Sequence, residues 1–139
     1  MRTYDDWYPG HLKDLDEEEC RDLVSQHLIG RVAWCHPTDG PTVLPVNYRF
    51  DGRHIVFRTS PHTDLARHFS QGRAAFQIDE FDEYTQSGWS VMARGKADLV
   101  PWDEVPEPDQ RPSPWVAGSR DVYIRIAVER LTGRRVLPA

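Results

Sequence analysis

Apolar and polar residues alternate along several short stretches of this chain, and a period of two predicts strands. The clearest runs from Trp89 to Leu99, where Trp89, Val91, Ala93, Gly95, Ala97 and Leu99 oppose Ser90, Met92, Arg94, Lys96 and Asp98. One face of that strand is core and the other is wet or at an interface. Further strands are predicted at Arg31–Cys35, Thr42–Phe50, His54–Thr59, Arg73–Asp79 and Val122–Val128. Asp51-Gly52 is a hairpin signal that pairs the second and third of these and brings Asn47 near Arg58. Pro45 lacks a ladder donor, so it marks an edge, a bulge or a docking point.

A helix is predicted from an Asp16 N-cap. Leu15, Asp16, Glu19 and Cys20 form an Asp version of the capping box with its apolar staple, and Gly30 is the candidate stop. A second, short helix is predicted from Thr63 to Gly72, with Leu65 and Phe69 on one face. Residues 1–14 read as an irregular arm, or as a frayed terminus. Residues 101–120 hold five of the eleven prolines and read as a loop with one turn of helix, either a surface excursion or a binding lid. The closing LTGRRV reads as a turn carrying Arg134 and Arg135. Six short hairpin-linked strands with two short helices predict a mainly β fold, an antiparallel barrel in a single domain spanning 1–139.

Composition narrows the function classes. A net charge of −5 argues against broad binding to nucleic acid or anionic membrane. No apolar run approaches the length of a membrane helix, and the first ten residues lack the apolar core of a signal peptide, so a cytoplasmic location is expected. Cys20 and Cys35 are then expected to be reduced, packed or idle thiols. The six histidines are scattered; His62 and His68 lack the i, i+4 spacing of a helical metal pair, and no metal site is expected.

The candidate chemistry lies between His54 and Phe69. Strand residues Ile55–Phe57 lead into Arg58, Thr59 and Ser60, Pro61 ends the ladder, and Thr63 opens a helix. A cation, hydroxyls and a helix N-terminus together make a phosphate seat. Arg58 has a second reading, a cross-strand ion pair with Asp79 or Glu80. Asn47 is unusual in a strand and needs a partner if buried, either a ligand edge or backbone across the hairpin. Trp89 is core, or an aromatic at an interface. No catalytic triad or carboxylate pair is evident.

The order GRVAW, TVLPVNYRFDGRHIVFRT, AAFQIDEFD, SGWSVMARGKA and YIRIAVERLTGRR resembles the pyridoxamine 5′-phosphate oxidase-like family of flavin-binding split β-barrels, its small actinobacterial-type branch most of all, over roughly residues 15 to 136. The resemblance implies a six-stranded split barrel, a homodimer with FMN at the subunit interface, and an oxidoreductase acting on a small molecule. It implies that Pro45, Val46 and Asn47 hold the isoalloxazine, that Arg58, Thr59, Ser60 and Thr63 hold the phosphate, and that the partner subunit contributes Trp89 and Ser90. Flavin would carry the redox chemistry. Many relatives have a cation just after the position of Thr63, where this chain has Asp64. A carboxylate beside phosphate at about 4 Å costs roughly 4 kcal/mol before screening, with Arg67 or His62 as the available substitutes. Two other readings stay open. One is a deazaflavin with an acidic tail, seated on Arg94, Lys96, Arg125, Arg134 and Arg135; the other is a cofactor-free dimer binding a small ligand. The chain shows no C-terminal extension with separated Arg and His residues, so the resemblance does not extend to pyridoxamine phosphate oxidation itself.

Overall fold

The computed structural model describes residues 11–60, 71–115 and 122–138. Its elements are β1 (His11–Leu15), α1 (Glu17–Gln26), β2 (Ile29–His36), β3 (Gly40–Phe50), β4 (His54–Thr59), β5 (Gln71–Asp82), β6 (Ser87–Leu99) and β7 (Val122–Leu137). The strands form one antiparallel sheet in the order β1-β7-β4-β3-β2-β5-β6, and β6 also pairs with β7. Six strands therefore close a ring, and β1 extends the free edge of β7. The fold is the expected mainly β split barrel with seven strands rather than six.

The seventh strand and a longer β7 are linked corrections. His11–Leu15 is not part of an irregular arm; it pairs with Gly133–Leu137, and LTGRRV is the second half of β7 rather than a turn. The first half of β7 pairs with β4 and the end of β6; the second half pairs with β1 and the start of β6, with a bulge between Arg94 and Gly95. β1 alternates poorly, with only Leu15 buried, so periodicity does not reveal it.

α1 begins as its cap requires, with Asp16 Oδ1 accepting from the Glu19 N–H at 2.8 Å. It ends at Gln26, before Gly30, which lies within β2. Gly30 is there because β2 passes close to the core: a Cβ would collide with the Phe76 ring and come within 2.8 Å of Ile78 Cγ2. Gly72 likewise lies within β5 rather than ending a helix. The predicted second helix from Thr63 falls outside the described residues. α1 buries Cys20 and Val24, and the Tyr48 hydroxyl donates to the Val24 carbonyl at 2.6 Å. Both cysteines are free; burial, then the nearby acids Asp16, Glu19 and Glu17, push the Cys20 thiol up.

The ring's interior holds Val32, Tyr48, Phe57, Phe76, Val91 and Ile126, all buried, and the Tyr48 and Phe76 rings meet edge-on with centroids 4.8 Å apart. Gly52 closes the β3–β4 hairpin at φ 96°, and Asp51 Oδ1 accepts the N–H groups of Arg53 and His54 at 2.8 and 2.6 Å. No helix among the described residues is long and apolar enough to cross a membrane.

Candidate functional site

The ring is split between β3 and β4. Their ladder has only three pairs, Tyr48↔Phe57, Arg49↔Val56 and Phe50↔Ile55, while β3 stays paired with β2 back to Gly40. Tyr48 donates its N–H to Leu28 and Asp51 donates to His54, so strand alternation turns the backbone edges of Pro45 and Asn47 toward the seam. Pro45 thus sits where a missing N–H leaves no broken ladder bond. Pro45 is exposed, whereas Val46 points into the core at 8% exposure.

The seam is spanned by residues 101–115, which carry two 3-10 turns, Trp102–Glu104 and Pro108–Gln110, instead of the single helical turn expected. This strap is fastened at several points. Arg125 binds Glu104 at 3.0 Å and Asp98 at 3.1 Å; these bonds, those to Asp98 first, raise the guanidinium's pKa further and keep it charged. Arg58 Nη1 donates to the Pro112 carbonyl at 3.3 Å, and the Trp115 N–H donates to Asn47 Oδ1 at 3.0 Å. Both the Arg58 and Arg111 guanidinium groups lie within 6.0 Å of the Tyr123 ring centroid. Asn47 and Arg58 are therefore brought together, as the hairpin predicts, but through the strap. The ion pair considered for Arg58 is not formed with Asp79, which is held by Arg31 at 2.9 Å.

Asn47 carries the chemical signal of the seam. Its Oδ1 is engaged by Trp115, which fixes the amide's orientation and leaves Nδ2 as a donor. That Nδ2 is buried and has no hydrogen-bond partner among the described residues. A buried amide donor without an acceptor costs about 1–3 kcal/mol and calls for an explanation. An acceptor atom on the edge of a planar ligand lying in the seam would supply one, so the residues present fit an isoalloxazine edge.

The remaining expected residues divide. Ser60, two residues beyond Arg58, is half-buried, but Thr59 points into the ring at 3% exposure, so its side chain does not share a face with Arg58. Thr63, with His62, Asp64 and Arg67, lies outside the described residues. Trp89 is 7% exposed and part of the interior, its ring 5.0 Å from that of His27, which is the core alternative left open by its sequence position. Ser90 faces outward. Within one chain Trp89 and Ser90 lie across the ring from Asn47, with two strands between β6 and β3 in either direction.

The basic residues expected to form one deazaflavin groove do not act together. Arg125 is engaged by two carboxylates, Lys96 stands near the Arg73–Glu129 pair, and Arg135 is opposite Trp89, on the other face from Arg134. Arg94 and Arg134 do share an outer groove with Ser90, joined by Arg130, which sequence reasoning missed. Arg111, Pro112, Trp115 and Tyr123 were also missed: the first three lie in an aperiodic loop, and only the alternation of β7 hints at an outward Tyr123.

The profile of the Pyridoxamine 5′-phosphate oxidase family matches residues 16–135. An uncharacterised protein of Mycobacterium tuberculosis is 27% identical over 135 residues, covering 89% of this chain and 85% of its own length. The structure of a candidate pyridoxamine 5′-phosphate oxidase of Corynebacterium glutamicum superposes with a TM-score of 0.76 at 27% identity, over 92% of this chain and 95% of that one. The FAD binding protein from Mycobacterium smegmatis superposes with a TM-score of 0.68 at 26% identity, over 90% and 98%. The profile spans most of the chain, and it does so on a ring whose seam the strand registers locate independently: this chain belongs to the pyridoxamine 5′-phosphate oxidase family.

Proposed function

We propose that this chain binds a flavin at the β3–β4 seam and acts, as a homodimer, as an oxidoreductase on a small molecule. The buried, unpartnered Nδ2 of Asn47 carries the reading. It is a fixed donor beside an open backbone edge, and the Arg58 guanidinium stands on the same side of the seam. FMN and FAD share the ring that this donor fits. The Mycobacterium smegmatis FAD binding protein, 26% identical, supports a flavin as the cofactor.

In this reading Asn47 donates to an acceptor on the ring edge, and the backbone at Pro45 and Val46 supports the ring's plane. Arg58, with Ser60 beside it, draws the phosphate. The Thr63 hydroxyl is assigned to the same phosphate. Residues 111–115 shield the seam from water. Bound flavin supplies hydride chemistry, so the protein's part is orientation and electrostatics. Ser90 serves a site at the far side of its own ring only through a second copy, which is why the proposal includes a dimer.

The test is titration of the purified protein with FMN and with FAD, followed by flavin absorbance and protein fluorescence. Saturable binding in the micromolar range is expected, and Arg58→Gln should weaken it about 10-fold, as loss of a charged hydrogen bond does. Absence of binding by both flavins removes this reading and favours a cofactor-free ligand-binding protein.

A further inference from the structure

The outer face of the β6–β7 ribbon holds a groove of about 640 Å³, within the usual range for small-ligand sites. Arg94 and Arg130 stand directly opposite each other in its ladder, beside the bulge, and Arg134 lies opposite Ser90 four register steps on. Like charges directly opposite on an antiparallel pair are destabilising. Among the described residues Arg94, Arg130 and Arg134 make no ion pair. Glu129, adjacent in sequence to Arg130, is turned to Arg73 at 2.5 Å. Asp14, opposite Arg134 in the β1–β7 ladder, is the one carboxylate among the groove's described residues, which leaves Arg94 and Arg130 facing each other without one. This local excess of positive charge stands on a chain whose net charge is −5, so overall composition does not account for it.

The spacing has a chemical meaning. Arg134 lies four steps along β7 from Arg130, about 13 Å at ~3.3 Å per residue, with Thr132 between them. Paired guanidinium groups at one end, a third with Ser90 at the other and Thr132 between suit a ligand with two or more anionic groups, since guanidinium recognises phosphate by bidentate hydrogen bonds.

We propose that this groove is a binding site for a small phosphorylated polyanion, of the diphosphate class. The argument rests on β6 and β7 and stands whether or not a flavin occupies the seam. Two sources share the chemistry: the diphosphate of a dinucleotide cofactor held by a second copy, and a separate phosphorylated substrate.

The experiment is calorimetric titration of the full-length protein with inorganic pyrophosphate at low and at physiological salt. Saturable binding is expected with a dissociation constant below about 1 mM at low salt, weaker at higher salt. The double variant Arg94→Gln/Arg130→Gln should lose at least about 10-fold in affinity. Its melting temperature should not fall, because the substitution removes a repulsive pair. Lys96→Gln, on the same face but outside the groove, should bind as the native protein does. Absence of saturable binding up to about 10 mM overturns the site. So does binding that survives the double substitution, or that falls equally in Lys96→Gln. Competition then separates the sources. Displacement of pyrophosphate by FAD but not FMN assigns the groove to a dinucleotide, and displacement by neither assigns it to a separate phosphorylated ligand.

Discussion

Replacing Asn47 with Leu separates a ligand contact from a structural one, because the two give opposite signs. Leu keeps the branched shape at Cγ and removes both amide atoms. In the free protein the substitution abolishes one hydrogen bond, from the Trp115 N–H at 3.0 Å, worth about 0.5–1.5 kcal/mol. Trp115 is 65% exposed, so solvent readily takes over its N–H. The same substitution removes the buried Nδ2, whose desolvation without a partner costs about 1–3 kcal/mol. Leu also suits a strand better than Asn. The sum predicts a free protein of equal or greater stability, by up to roughly 2 kcal/mol. Flavin binding should move the other way. The variant forfeits a buried hydrogen bond and leaves the ligand's acceptor unsatisfied, a combined loss of about 1.5–3 kcal/mol, or roughly 10–150-fold in dissociation constant. Urea unfolding of the free protein and fluorescence titration with FMN and FAD measure the two terms separately. A variant destabilised by more than about 1 kcal/mol that binds flavin as before would show that Asn47 serves only to hold the strap.

Other consequences follow from the same contacts. Tyr48→Phe removes the buried donor to the Val24 carbonyl and should cost about 1–3 kcal/mol in urea unfolding. Burial pushes the Tyr48 phenol up, so the folded state holds its proton; its contribution is complete below about pH 10 and fades above, and the alkaline loss of stability should be shallower in Tyr48→Phe. Burial raises the Asp51 carboxyl, but the His54 and Arg53 N–H groups and the His54 side chain outweigh it and hold the net shift downward. Asp51 therefore stabilises above the ordinary aspartate range near pH 4, and the stability gap between native protein and Asp51→Ala should narrow as pH falls through and below it. Gly30→Ala should lower stability by about 1–3 kcal/mol, seen as a lower melting temperature, because its methyl meets the Phe76 ring inside a packed core.

The ring was readable because its strands bury one face each. Wherever one side met the core, as at Trp89–Leu99, alternation located the strand, and the Asp51-Gly52 turn set the β3–β4 register. Legibility failed where burial is not periodic. β1 and the second half of β7 lie beyond the closed ring and bury few side chains, so their sequences look like an arm and a turn. Gly30 reads locally as a helix stop, and only the position of Phe76, 46 residues later in sequence, shows that it is a packing glycine. The site divides in the same way. Asn47 and Arg58 were legible from hairpin pairing, whereas Tyr123, Arg111 and the strap contacts depend on where an aperiodic proline-rich segment crosses the sheet.

That crossing ties the strap to the seam's chemistry. The groups best suited to hold a flavin, the Asn47 amide and the Arg58 guanidinium, are those to which residues 112–115 attach in the free protein. Among the described residues the strap is tied near its start by the Glu104–Arg125 ion pair at 3.0 Å, and near its end by the hydrogen bonds between Trp115 and Asn47 at 3.0 Å and between Arg58 and Pro112 at 3.3 Å. A ligand phosphate would offer Arg58 an anionic acceptor, which a guanidinium binds bidentately. The Glu104–Arg125 pair would meanwhile keep the start of the strap over the sheet. A strap tied at separate points admits a ligand beneath one end while the other stays fastened. Cutting the Glu104 tie with Arg125→Gln should then raise flavin on- and off-rates together in stopped-flow fluorescence, with a smaller change in their ratio. If it changed affinity alone, the strap would be part of the binding surface rather than its cover.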